Sequence, residues 1–415
     1  MNLLIKDAII DGIKSNIYIE DGKIKHISND SDYPNTKTIN ADGMYALPAF
    51  FNTHTHASMT LLRGYEDDMF LMEWLNKIWP AEAKLTSDDV YWGSKLACLE
   101  MIKSGTVFFS DMYWFCEETA KAVSEFGMRC ALSGTFITSG KSNDSVIKAL
   151  EETMEKIAGY RDKNIIFTLG PHAIYTVNRE LLEWTSIASA KQGLIIHTHL
   201  SETEKEYLDC KEKTGLKPVF YLDSLGLLSE KTILAHAVWL DDDEIELIAK
   251  RGAHISHNPI SNMKLSVGKA MDYKKLKEAN VNVTLGTDGC SSNNNLDMME
   301  SMKFASLLQK FTSNDPCLMP AKETFDIASY NGAKAFGINS GKLEKGYNAD
   351  IMLIKNNMVE NTPGYNIYSD LVYSLKSDCI DTVICNGQIL MEKRKVKDEE
   401  EIISRVSEIS KKFRS

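Results

Sequence analysis

The sequence predicts an α/β chain: a closed (β/α)8 barrel with a smaller, discontinuous β-sandwich made by the two chain ends. Three observations predict it. Eight short, near-continuous apolar runs recur between residues 45 and 287, the pattern of strands buried on both faces of a parallel sheet. Amphipathic stretches separate these runs, and strand–helix alternation repeated eight times fits a closed barrel. Both ends of the chain instead alternate polar and apolar residues around Asx-Gly turns, the mark of antiparallel hairpins.

Each element follows in order. Residues 16–27 alternate around Asp21-Gly22 and predict a hairpin within residues 1–48. The apolar runs are 45–52, 105–111, 128–135, 164–170, 193–200, 231–238, 252–258 and 281–287, with amphipathic helices over 88–103, 145–158, 179–191, 241–250 and 296–309 between them. An open, doubly wound sheet is the rival architecture, but no G-x-G-x-x-G follows the first strand. Residues 348–355 and 381–390 return to strand patterning, the latter turning at Asn386-Gly387, and 398–415 reads as a charged terminal helix. The chain thus divides into 1–48 and 341–415 (β-sandwich) around a barrel at 49–340.

Composition excludes several classes of function. With 415 residues, 43% hydrophobic and 25% charged, the chain is ordinary for a globular protein with a large core. Lys and Arg number 47 against 58 Asp and Glu, a net charge of −11. Such a surface repels phosphate backbones and argues against nucleic-acid binding; the longest basic run is Lys393-Arg394-Lys395. The first residues meet charge too early for a signal peptide, and no apolar run approaches the roughly 18 residues of a membrane span. Eight Cys without a C-x-x-C pair read as reduced thiols in a cytoplasmic protein.

The chemistry collects at strand ends. Six of the nine His, residues 54, 56, 172, 197, 199 and 236, fall at the C-terminal ends of predicted strands, where barrel active sites are built. His54-Thr55-His56 closes the first strand, and i, i+2 spacing puts both imidazoles on one face. His172 closes the fourth, His197-Thr198-His199 the fifth with Glu202 beyond, His236 the sixth, and Asp288-Gly289 follows the eighth. One such His alone is commonly a hydrogen-bonded structural residue; convergence from five strands is what a metal site requires. His54, His56, one His of the fifth strand and Asp288 would hold one divalent cation and leave a position open for water. Zn²⁺, Fe²⁺ and Mn²⁺ all suit this donor set. His26 and His254 read as structural, and His257 as a supporting or substrate-facing candidate.

The set His54-Thr-His56, His199-Leu-Ser-Glu202, His236, Ser256-His-Asn-Pro259 and Gly286-Thr-Asp288 resembles the amidohydrolase superfamily, in particular its methylthioadenosine/S-adenosylhomocysteine deaminase branch. The likeness extends through Pro48–His56, Met59–Gly64 and Gly346–Asp350 over nearly the whole chain. It implies a metal held by His54, His56, His199 and Asp288, with His197 left to support or packing. It implies Glu202 as the proton shuttle and His236 as the residue that polarises the attacking water, with Asp288 accepting that water's proton. It implies Glu82 at the ribose hydroxyls, His172 near the nucleoside, and a homo-oligomer. Glu204 and Glu206 read as ordinary first-turn acids, favoured there by the helix dipole.

The substrate implied is an adenine nucleoside, hydrolysed to ammonia and the inosine analogue. Relatives that accept S-adenosylhomocysteine carry arginines after the third strand, able to grip a carboxylate through a planar fork. Here no Arg lies between Arg129 and Arg161; Ser133, Thr135 and Thr138 stand there, with Lys141 and Lys148 nearby. Lys is a poor replacement for that fork. The expectation is a small neutral 5′ group, as in methylthioadenosine, 5′-deoxyadenosine or adenosine. Two alternatives stay open: a hydrolase of another heterocycle such as guanine, a pterin or a triazine, and a scaffold without catalysis.

Overall fold

A computed structural model describes residues 2–30, 32–138, 140–160 and 164–413; Arg161 and the last two residues of the expected terminal helix lie outside these. Eight parallel strands form the barrel: Phe50–Thr55, Thr106–Tyr113, Arg129–Phe136, Ile165–Pro171, Ile195–Leu200, Thr232–His236, His254–His257 and Asn282–Leu285. Consecutive strands are hydrogen-bonded neighbours throughout. First and eighth meet where the Asp288 N–H donates to the His54 carbonyl at 3.0 Å and the Thr53 hydroxyl donates to the Leu285 carbonyl at 3.0 Å.

Helices return the chain between strands, and their ends obey local chemistry. Ser87–Lys103 starts in a reciprocal Thr86–Asp89 capping box and Asp242–Arg251 in an Asp241–Glu244 box. Among the described residues no helix is long and apolar enough to cross a membrane.

The chain ends share a second sheet in the order Gln388–Met391, Ile380–Cys385, Ile351–Lys355, Met44–Pro48, Leu3–Ile10, Ile13–Glu20, Lys23–Ser28, with Lys37–Asn40 beside Leu3–Ile10. It has its own small core of Leu3, Ile5, Ile17, Ile19, Ile24, Ile351, Leu353 and Ile384, among others. Both expected hairpin turns form, with Asp21, Gly22, Asn386 and Gly387 all at positive φ. They also touch: a Cβ on Gly22 would stand 2.7 Å from Asn386 Oδ1, so the close approach needs glycine there.

One expected strand is corrected. The run 45–52 divides between the two sheets: Met44–Pro48 pairs antiparallel with Ile351–Lys355, while Phe50–Thr55 opens the barrel. Both halves are buried on both faces, so no periodicity marks the crossing at Ala49.

Candidate active site

The expected residues converge on the C-terminal rim of the barrel. His54 and His56 end the first strand, His199 lies in the fifth, His236 ends the sixth, and Asp288 follows the eighth. Ligand atoms of His54, His56 and His199 lie within 4.8 Å of one another, as do those of His54, His236 and Asp288. Asp288 Oδ1 stands 3.5 Å from His54 Nε2 and 3.2 Å from His56 Nε2.

The second nitrogen of each ring is tied back to the scaffold, which fixes where the first one points. His56 Nδ1–H donates to the Met112 carbonyl (2.6 Å), His199 Nδ1–H to the His172 carbonyl (2.7 Å) and His236 Nδ1–H to Asn262 Oδ1 (2.8 Å). His54 Nδ1 meets His197 Nε2 at 2.9 Å, and His197 Nδ1 meets Ser110 Oγ at 3.1 Å. His197 therefore supports a ligand-type imidazole through a buried relay.

Electrostatics and backbone agree with a cation site. Burial lowers His54 to about 4 and holds His199 well below its ordinary value, so both are neutral imidazoles with a lone pair to give. At His56 burial is outweighed by the Asp288 carboxylate, which raises the ring to about 9, so an ion bound there would displace its proton. Burial also opposes charge on Asp288, yet the His54 and His56 rings beside it outweigh burial and hold the carboxyl well below the usual range. Buried His54 Nε2 has no hydrogen-bond partner among the described residues. Three ring nitrogens, the orphaned His54 Nε2 among them, and a carboxylate fit a divalent ion. Ser201, His236 and Asp288 all hold positive φ, at 50°, 73° and 61°. Left-handed backbone at non-glycine residues costs about 1–3 kcal/mol each and gathers at functional sites.

Glu202 is buried beside this cage, its Oε1 3.7 Å from His236 Nδ1, and burial raises its carboxyl. Asp288 further accepts the Ser261 hydroxyl at 2.6 Å and the Gly289 N–H at 2.8 Å. The cleft above them is narrow, with about 60 Å³ of free space, and Glu82 and His172 line it with Trp74, Trp79 and Leu265. Burial pushes Glu82 up to about 6, against the pull of the Tyr113 hydroxyl and His56.

Several features escape the sequence reading. The helix Leu71–Glu82 roofs the cleft; Leu71, Trp74, Leu75 and Ile78 carry the helical spacing that signals it. Glu206 is a buried acceptor of backbone N–H groups, against its reading as an ordinary first-turn acid. Ser133 turns into the barrel toward Thr168 and His197, away from the cleft. Both nitrogens of buried His257 lack a partner among the described residues, and His257 borders a separate cavity of about 270 Å³ with Asn262.

A barrel with such a cage at its catalytic rim defines a metal-dependent hydrolase. The sequence matches the amidohydrolase family over residues 45–390, and the chain belongs to that family. It is 49% identical over 369 residues to a 5′-deoxyadenosine deaminase of Methanoregula boonei, covering 88% of this chain and 84% of the relative. It is 46% identical over 419 residues to 5-methylthioadenosine/S-adenosylhomocysteine deaminase 1 of Archaeoglobus fulgidus, covering 99% of each. Among solved structures, an adenosine deaminase from Xanthomonas campestris with bound zinc superposes with a TM-score of 0.94 at 30% identity, over 100% of this chain and 98% of that one.

Proposed function

We propose that this chain is a metal-dependent hydrolytic deaminase of adenine nucleosides, favouring those with a small neutral 5′ group. What carries the reading is one juxtaposition: a buried carboxyl outside the ligand cage, Glu202, set beside that cage on the floor of a largely apolar cleft. His54, His56, His199 and Asp288 would hold the ion, for which Zn²⁺ is our assignment over Fe²⁺ and Mn²⁺. The bound ion supplies Lewis acidity that makes water nucleophilic near neutral pH.

The chain's own groups do the rest. Asp288 takes a proton from the attacking water, its carboxylate steadied by Ser261 and the Gly289 N–H. His236, held by Asn262, faces the same point and polarises that water. Glu202, whose burial favours the protonated carboxyl, delivers its proton to the ring nitrogen beside the amino-bearing carbon and makes that carbon electrophilic. Oxygen bonds to the carbon, the amino group takes up the proton held by Asp288, and the C–N bond breaks to release ammonia while the new hydroxyl returns its proton to Glu202, leaving the inosine analogue. Glu82 accepts the ribose hydroxyls and His172 lies against the nucleoside.

The 5′ preference rests on what lines the next cavity. About 360 Å³ opens past Trp114 and Thr135, bordered by Phe136, Ile137, Ala149 and Lys141. Lys141 is the one Lys or Arg among the described residues lining it or the main cleft; Lys148 is exposed and faces Glu152 at 3.9 Å. Ammonia release from 5′-deoxyadenosine, methylthioadenosine, adenosine and S-adenosylhomocysteine tests both parts. We expect the first three to show the higher kcat/KM. S-adenosylhomocysteine at the top would overturn the 5′ assignment. Turnover confined to guanine, pterins or triazines would overturn the nucleoside itself, with halide release marking a chlorotriazine.

A further inference from the structure

The rim holds buried carboxyls that the reaction does not use, Asp111 and Glu206 among them. Glu206 is the one that grips the segment carrying Glu202. Glu206 sits in the first turn of the helix Glu204–Thr214, whose N-cap Thr203 accepts the Glu206 N–H at 3.2 Å. It is 6% exposed, whereas Glu204 in the same turn faces solvent. Its two oxygens point back along the chain: Oε1 accepts the Ser201 N–H at 2.8 Å and Oε2 the Glu202 N–H at 3.0 Å. Burial raises Glu206 to about 7 against the pull of these two N–H groups, so the bonds are charge-assisted above that pH, and two from one planar group fix orientation as well as distance.

The clamped segment has to make a sharp bend. Ser201 holds φ 50°, a conformation that costs energy in any residue but glycine. On its other side, the Ser201 carbonyl accepts the Val238 and Trp239 N–H groups at 3.0 and 2.8 Å, just beyond His236. The bend is therefore held between the start of the following helix and the end of the sixth strand. Its product is the direction in which Glu202 leaves the strand.

We propose that Glu206 is a positioning residue that locks the Ser201–Glu202 backbone and so aims the Glu202 carboxyl into the cleft; this rests on the role of Glu202 set out above. Glu206 acts through Glu202 and touches neither substrate nor ion. A glutamine there would face one backbone N–H with an amide NH₂, replacing an acceptor by a donor.

The test is Glu206→Gln in the metal-loaded enzyme, read by kinetics, metal content and amide hydrogen exchange. Misaiming a proton donor by a fraction of an ångström predicts kcat lower by about 10- to 100-fold, with KM changed by less than about threefold. Metal content stays at the wild-type value. Exchange at Ser201 and Glu202 quickens while Ile195–Leu200 keeps its protection. Should Glu206→Gln give no folded protein, Glu206→Asp, which keeps the charge and shortens the reach, is read in the same way. Wild-type kcat, loss of metal alongside kcat, or unchanged exchange at Ser201 and Glu202 would each overturn the proposal. If the wild-type enzyme deaminates no adenine nucleoside, the function above falls, and exchange still decides the clamp: faster sustains it, unchanged overturns it.

Discussion

At the N-terminal end of the barrel, Arg129 opens the third strand and pairs with Asp350 at the start of Ile351–Lys355, joining barrel to second sheet. Asp350 also accepts the Ser340 hydroxyl and, at 2.7 Å, the Asn386 N–H. The guanidinium lies over Phe51, 5.7 Å from its ring centre. At the C-terminal end, His54, His56, His199, His236 and Asp288 crowd one point and leave a ring nitrogen unpartnered. One end pairs opposite buried charges within the chain and uses them as a joint, with Arg129 Nε the one buried atom of that pair left unpartnered among the described residues. The other keeps like groups together on strained backbone, an arrangement completed from outside.

The largest effects should come from breaking the rim. Glu202→Gln should lower kcat by about 10²- to 10⁴-fold while metal is retained, whereas His199→Ala should lose the metal itself, as elemental analysis would show. Parallel loss of metal in both would dissolve the division of labour between cage and shuttle. Breaking the other end should cost stability. Asp350→Asn strands a buried guanidinium, and denaturant unfolding should report a loss of about 3–5 kcal/mol, with wild-type kcat for the folded fraction.

A subtler change sharpens the contrast between ligands and their supports. His197→Leu keeps the volume near His54 and removes its acceptor, so metal affinity measured by chelator competition should weaken by about 10- to 100-fold. Unchanged affinity would make His197 a packing residue. The smallest effect is a pH profile. Glu82 is raised to about 6 by burial, so it is protonated below that pH and ionised above it. An ionised carboxylate accepts two ribose hydroxyls; a protonated one gives up an acceptor. KM for the nucleoside should therefore rise as pH falls through about 6, and Glu82→Gln should flatten that limb.

Much of this was legible in the sequence because chemistry and period coincide there. His54-Thr-His56 and His197-Thr-His199 put ring nitrogens on strand ends by alternation alone, and the eight apolar runs needed only counting. What stayed hidden depends on contacts distant in the chain. His197 could be placed only once the barrel brought it to 2.9 Å from His54. Glu206 looks like Glu204 in one dimension and differs in burial alone. The break at Ala49 lies in unbroken apolar sequence, since both flanking strands are covered on both sides.

The shared end sheet also sets an order of assembly. Met44–Pro48 lies between Leu3–Ile10 and Ile351–Lys355, and roughly 300 residues separate Pro48 from its later partner, a long-range pairing of the kind that forms slowly. During synthesis the whole barrel sequence emerges before that edge is covered, and an uncovered strand edge invites pairing with other chains. The strand Ile351–Lys355 then closes the edge that Met44–Pro48 would otherwise leave open.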